Sequence, residues 1–402
     1  MQKNLRLGRF AAIGLLTFSL ASCAIAVDTI IDAGRLIKGN DGVVYDEMSL
    51  VNRGDQVASM NGQFPTDRDQ KSGAQLQTAI CQQTNDAITI TIGDLPLLTY
   101  HKSIVHPPEN IDPVFKRSGY VHPIKSPSGK EVTGDFAPDH AHQHAFFMAW
   151  VNTHLAGHDI DFWNQKKQTG RISHNKVVSV NNKASYAEFE VELTHEDTTL
   201  PKAPVLVLSE RWKIRAYHRA ASEPFVFDFE SNQTCMADSP LILREYRYGG
   251  FGLRGNQQWH RPGANAAFKN WTTLLKNSER DANVEPPDPL GLDVMGHEFL
   301  TSENKQRHNG NHSRARWTTM YGPVDGAIAG IAILSHPKNF RSPQHVRLHP
   351  GKPYFSYAPV VAGEFKIEPK ETYTTRFRVV SYDGLPDKKL LNRLWSEYST
   401  KN

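Results

Sequence analysis

The chain has 402 residues, with 46 Lys and Arg against 42 Asp and Glu and a formal net charge of +4. So balanced a charge excludes the concentrated basic surface on which nucleic-acid binding depends, and the length suits one very large β domain or two ordinary ones. Beyond the N-terminus no segment approaches 18 consecutive apolar residues, which a membrane-spanning helix would need.

Lys3, Arg6 and Arg9 precede an apolar run from Phe10 to Leu20, the pattern of a secretion signal over residues 1–22. Leu20, Ala21, Ser22 and Cys23 match a lipoprotein cleavage site that leaves Cys23 acylated, whereas Ala24, Ile25 and Ala26 match ordinary signal peptidase. The lipoprotein reading is preferred, and Ala24 in place of Asp beside Cys23 points to outer-membrane sorting. The expected location is the periplasm or the outer membrane, with the lipid on Cys23 as the membrane attachment. Cys81 and Cys235 then remain in an oxidising compartment, a pair that fits either one disulfide or two buried thiols.

Residues 23–74 read as an N-terminal extension with turns at 39–42 and 61–62 and no dominant period. After residue 75 short β-type runs alternate with turn residues: 87–92, 97–100, 176–180, 185–193, 205–215, 225–232, 241–248, 327–334 and 372–382. Their spacing predicts an all-β domain over residues 75–402, a sandwich or a barrel-like stack of sheets, and a large antiparallel β-sandwich is the preferred form. Glu188, Glu190 and Glu192 share one face of their strand, which is expected to be solvated. The stretch 256–311, rich in Asn, Pro, Gly and charge, reads as a long excursion of the kind that rims binding sites. Leu390, Leu391, Leu394 and Trp395 lie at helical spacing and predict a short C-terminal helix over 387–398.

The chemistry concentrates in four stretches. In an extended strand His140, His142 and His144 would project from one face, continuing into Phe146, Met148 and Trp150. The other stretches are 116–129, with Arg117 and His122; 244–255, with Glu245 and Arg254; and 335–349, with His336, Asn339, Arg341, Arg347 and His349. Asp161 and Trp163 follow the histidines. These are the parts of a carbohydrate pocket: rings for sugar faces, guanidinium forks for carboxylates or sulfates, and imidazoles to move protons. On this reading His140, His144 and Glu245 are catalytic. Arg117, His122, His142, Asp161, Trp163, Arg254, His336, Asn339 and Arg341 bind a saccharide substrate, acidic or sulfated, and Arg254 and Arg341 take its anionic group. No cofactor is expected. The alternative is a divalent metal at His142; His140 and His144 would stand about 13 Å apart on an extended strand, too far for all three rings to share one ion. Nucleotide-binding and serine-nucleophile motifs do not occur.

Together the stretches 116–123, 139–147, 161–163, 248–254 and 336–341 resemble the bacterial "methane oxygenase PmoA-like" family, a domain of unknown function common in secreted proteins. The resemblance covers about residues 75–385. The family's usual Asp-His-Pro-His-His is altered, with Ala141 and Gln143 replacing the Pro and one His. The resemblance implies a β-sandwich of the galactose-mutarotase type, a supersandwich, and carbohydrate processing without a defined reaction. The expected function is thus an exported carbohydrate-processing epimerase, lyase or glycoside hydrolase. The alternatives are a glycan-binding lipoprotein without catalysis, and a metal-dependent oxygenase or hydrolase.

Overall fold

The computed structural model describes residues 76–401, except 201–203 and 282–283, and the backbone of four short strands between residues 30 and 51. The secretion signal and Cys23 lie outside the described residues. The chain divides into two units, Met1–Gly73 and Ala74–Asn402. In the first, Ile30–Ala33 pairs with Met48–Val51 and Leu36–Ile37 with Val44–Tyr45.

The second unit is built on two eight-stranded antiparallel sheets, with a smaller four-stranded sheet beside them. The first sheet runs, in spatial order, through Val346–Leu348, Tyr354–Tyr357, Gly250–Arg254, Phe146–Ala149, Tyr120–Ile124, Leu95–His101, Ala87–Ile92 and Ala79–Gln83. The second runs through Gly170–Asn182, Tyr186–Asp197, Val205–Tyr217, Phe225–Cys235, Thr372–Asp383, Ala327–Ser335, Trp317–Val324 and Glu298–Thr301. Alternation along these strands makes the sandwich. Phe225–Cys235 buries every second residue completely, and the inward rings interlock, with Phe146 4.9 Å from Phe229 and Phe251 4.9 Å from Phe377. Each such ring stabilises the fold by about 1.5–3 kcal/mol through burial. The predicted antiparallel sandwich and the C-terminal helix, Lys388–Ser399, are both present. Asp387 caps that helix by accepting from the Lys389 and Leu390 amides.

The acidic row lies on the outer face of the second sheet, each Glu opposite a cation. Glu188 meets Arg215 at 2.6 Å, Glu190 meets Arg211 at 3.4 Å, and Glu192 meets Lys176 at 3.5 Å. The excursion at 256–311 is more ordered than its composition suggests, for it contains a 17-residue helix, Ala264–Arg280. The run expected over 241–248 stops at Leu243, and Gly249 and Gly250, both at positive φ, lead the chain into the next strand. Among the described residues no helix is long and apolar enough to cross a membrane.

Cys81 and Cys235 are both buried free thiols. Burial pushes the Cys81 thiol up to about 12, so almost no thiolate is present at neutral pH. Iodoacetamide at pH 8 is expected to leave Cys81 unmodified in the folded protein and to modify it in guanidinium, as read by peptide mass spectrometry. Labelling of the folded protein would contradict this burial.

Candidate functional site

The first sheet has one face against the sandwich core and one turned away from it. Phe146 packs on the second sheet, so Phe147 points the opposite way, toward Trp163 at 4.7 Å. On that outer face Gly252 stands opposite Phe147, where a Cβ would come within 2.8 Å of the Phe147 ring, so only glycine fits beneath the aromatic cover.

The histidine segment leading into this strand is not extended. The strand begins only at Phe146, and residues 137–143 form two successive turns, closed by His140 N donating to Ala137 O and Gln143 N donating to His140 O, each at 2.9 Å. The shared face expected of the three histidines is therefore replaced by a split. His140 and His142 stay together, their rings 5.3 Å apart, while His144 is driven inward and is fully buried.

What holds the turn is a carboxylate between cations. Arg254 Nη2 donates to Asp139 Oδ1 at 3.0 Å, and its Nη1 donates to Gln143 Oε1 at 3.0 Å. Lys352 Nζ sits 3.0 Å from Asp139 Oδ2 and donates to His140 Nδ1 at 2.7 Å, so the neutral His140 ring carries its proton on Nε2. His260 lies 3.8 Å from the same carboxylate, and the His349 ring 6.3 Å from that of His140. Burial pushes the Asp139 carboxyl up, but the adjacent His140 ring and the hydrogen bonds and charges of Arg254 and Lys352 outweigh it and hold the group well below the usual range. Burial, reinforced by neighbouring positive charge, pushes His142 and His349 down to about 3. Both are neutral at physiological pH and offer hydrogen bonds. His140 is the more open of the rings here, one-third exposed, with Lys352 behind it.

Beneath the turn runs a second chain of hydrogen bonds. Tyr120 donates to Asp135 Oδ2 at 2.6 Å, Asp135 Oδ1 meets His144 Nδ1 at 2.8 Å, and His144 Nε2 meets Gln165 Oε1 at 2.7 Å. Gln165 Nε2 then donates to the Lys116 carbonyl at 2.9 Å. Burial raises the Asp135 carboxyl, and His144 and Tyr120 more than reverse this and keep it low. His144, expected to be catalytic, has no exposed surface and acts as a support.

The other expected residues divide. Arg254 joins the cluster but spends its fork on Asp139 and Gln143. Asp161 accepts from the Trp163 and Asn164 amides and from Lys167, shaping a turn. Trp163 is fully buried between Phe147, Tyr248 and Tyr354, so it offers a sugar no face. His122 bonds Thr133 at 3.1 Å, and burial pushes it down to about 4. His336 bonds the Lys401 carbonyl, Asn339 secures its turn through Ser335 and Arg376, and Arg341 gives its guanidinium to the carbonyls of Pro359, Gly363 and Glu364. Three of the five N–H donors of Arg341 are thus committed to the backbone. Glu245 is exposed and lies in a loop, not on a strand, away from the ion pairs that gather His140 and His260 at Asp139. Among the described residues no three His, Cys, Asp or Glu side chains converge as metal ligands, at His142 or elsewhere. Asp135, His260 and Lys352 were not singled out by the sequence reading; Lys352, three residues after His349 across a Pro-Gly pair, was the available signal.

A model of a family of unknown function, DUF6807, matches residues 87–396. The chain belongs to the DUF6807 family. The PmoA-like resemblance rests on the motif stretches alone. No curated protein matches the chain significantly. Solved structures similar to this DUF6807 member include a heparan sulfate lyase from Pedobacter heparinus, 11% identical over 79% of this chain and 36% of the lyase, with a TM-score of 0.31. A putative aldose 1-epimerase from Klebsiella pneumoniae subsp. pneumoniae is 12% identical over 83% of this chain and 91% of its own, with a TM-score of 0.35. A galactose mutarotase related enzyme from Lactobacillus acidophilus is 9% identical over 75% and 97%, with a TM-score of 0.29. The chain spans about a third of the length of the lyase.

Proposed function

We propose that the protein is an exported carbohydrate-processing enzyme in which His140, backed by Lys352, moves a proton to or from a bound saccharide. The observation that carries this reading is the convergence of His142, His349, Lys352 and Asp139 around a partly exposed His140, in a turn that leads into a strand of the first sheet. Lys352 donating to Nδ1 leaves Nε2 of His140 as the working nitrogen, and Asp139 fixes both partners. The neutral rings of His142 and His349 suit sugar hydroxyls, which both donate and accept. Epimerisation, β-elimination and glycoside hydrolysis all use such a proton-transfer group beside a ring.

The test is a screen of acidic and neutral oligosaccharides for binding and turnover by the mature protein, repeated with His140→Ala and Lys352→Met. Loss of a general acid or base is expected to lower turnover about 10²–10⁴-fold with the circular dichroism spectrum unchanged. Unaltered turnover in His140→Ala would sink the assignment. Binding without turnover, indifferent to His140, would make the protein a glycan-binding lipoprotein instead.

A further inference from the structure

Arg117 follows the short helical turn Pro113–Phe115 and is 3% exposed. Its guanidinium lies over the Phe147 ring at 5.4 Å, and neither Nε nor Nη2 meets an acceptor among the described residues. A buried cation with two donors unmatched is costly, and an anion bound beside it would offset that cost. Burial lowers Arg117 to about 10, with Glu210 opposing the shift, so the group remains a cation at neutral pH. Arg117 also lines a cavity of about 580 Å³, whose wall includes Ser118, Phe162, Gln165, Ser173 and Thr198. Gln165 is the residue that bonds His144, and Phe115, beside the cavity-lining Val114, places its ring 6.4 Å from that of His142. The cavity and the hydrogen-bond chain beneath the histidine turn thus meet at Gln165.

We propose that the Arg117 cavity binds one anionic oxygen group, a carboxylate or a sulfate, of an acidic saccharide whose reacting ring lies at the His140 turn. The fork of Arg117 supplies charge-assisted donors, and the hydroxyls and amide of the wall complete the shell. The proposal rests on the saccharide reading for the identity of its ligand, but the anion site itself does not.

Calorimetric titration of the mature protein with inorganic sulfate, glucuronate, glucose 6-sulfate and glucose separates the two. Arg117→Met removes the fork, and Thr198→Trp narrows the cavity without touching it. Sulfate is expected to bind the native protein and to bind each variant at least tenfold more weakly. The better of glucuronate and glucose 6-sulfate identifies the anion, and that ligand should exceed glucose at least tenfold in the native protein only. Absence of sulfate binding, or sulfate affinity indifferent to both variants, overturns the anion site. If glucose and glucuronate bind equally and Arg117→Met alters neither, the anion site fails and the saccharide reading stands. If sulfate binding depends on Arg117 but no sugar binds, the saccharide reading fails and the anion site stands.

Discussion

Asp139→Ala is expected to destabilise the protein by about 3–5 kcal/mol, the usual result of stripping one partner from a buried ion pair. Arg254 is 1% exposed, and its Nη2 has Asp139 as its carboxylate. Its Nε has no acceptor among the described residues, so loss of Asp139 leaves Gln143 as the one side chain that the guanidinium bonds. Lys352, His140 and His260 would then face one another and Arg254 without the negative charge that gathers them. Urea denaturation should show the midpoint fall with little change in slope, and a loss under about 1 kcal/mol would contradict the role given to Asp139. The sign with pH follows from the depressed carboxyl. Its contribution is complete above the unfolded value near about 4 and is lost as pH falls toward the folded value. The stability gap between the native protein and Asp139→Asn should therefore be level from about pH 5 to 7 and shrink below about pH 4.

The parts of the fold carried by local alternation were legible in the sequence. Ala187, Phe189, Val191 and Leu193 are buried as their spacing requires, and Leu391 seats the C-terminal helix. The histidine turn was not legible, because Ala and Gln between histidines imitate a strand's two-residue period. The conformation is decided by Arg254 and Lys352, more than a hundred residues away in sequence, which pull Asp139 into place. Glu245 failed for a related reason. Its neighbours Tyr246 and Tyr248 read as β residues, yet the Tyr246 amide bonds Val360 O, outside any ladder. The helix Ala264–Arg280 was hidden by its Asn and Lys content, although Phe268, Trp271 and Leu275 fall on one side of it. Arg117 was named from the sequence as a substrate-binding residue, but that its fork lacks acceptors among the described residues is visible only once burial and neighbours are known.

Glu210→Ala is expected to have an effect as large as Asp139→Ala, about 3–5 kcal/mol, from a position between the sheets. Glu210 is fully buried and meets His195 Nε2 at 2.6 Å, Ser231 Oγ at 2.5 Å and Gln233 Nε2 at 2.9 Å. Gln233 in turn accepts from the Trp150 indole at 2.6 Å. Burial raises the Glu210 carboxyl, and the His195 pairing with the other two donors more than offsets this, so it stays ionised inside the core. Alanine would leave three buried donors unmatched at once, whereas Glu210→Gln keeps an oxygen for them and should lose less, as read by guanidinium denaturation. A Glu210→Ala protein as stable as the native one would show that the network contributes nothing. The same substitutions also bear on Arg117, because Glu210 is the leading negative charge acting on that guanidinium. Glu210→Gln leaves the fork of Arg117 in place and removes a charge that repels an incoming anion. It should therefore bind sulfate at least as tightly as the native protein, while Arg117→Met binds it at least tenfold more weakly.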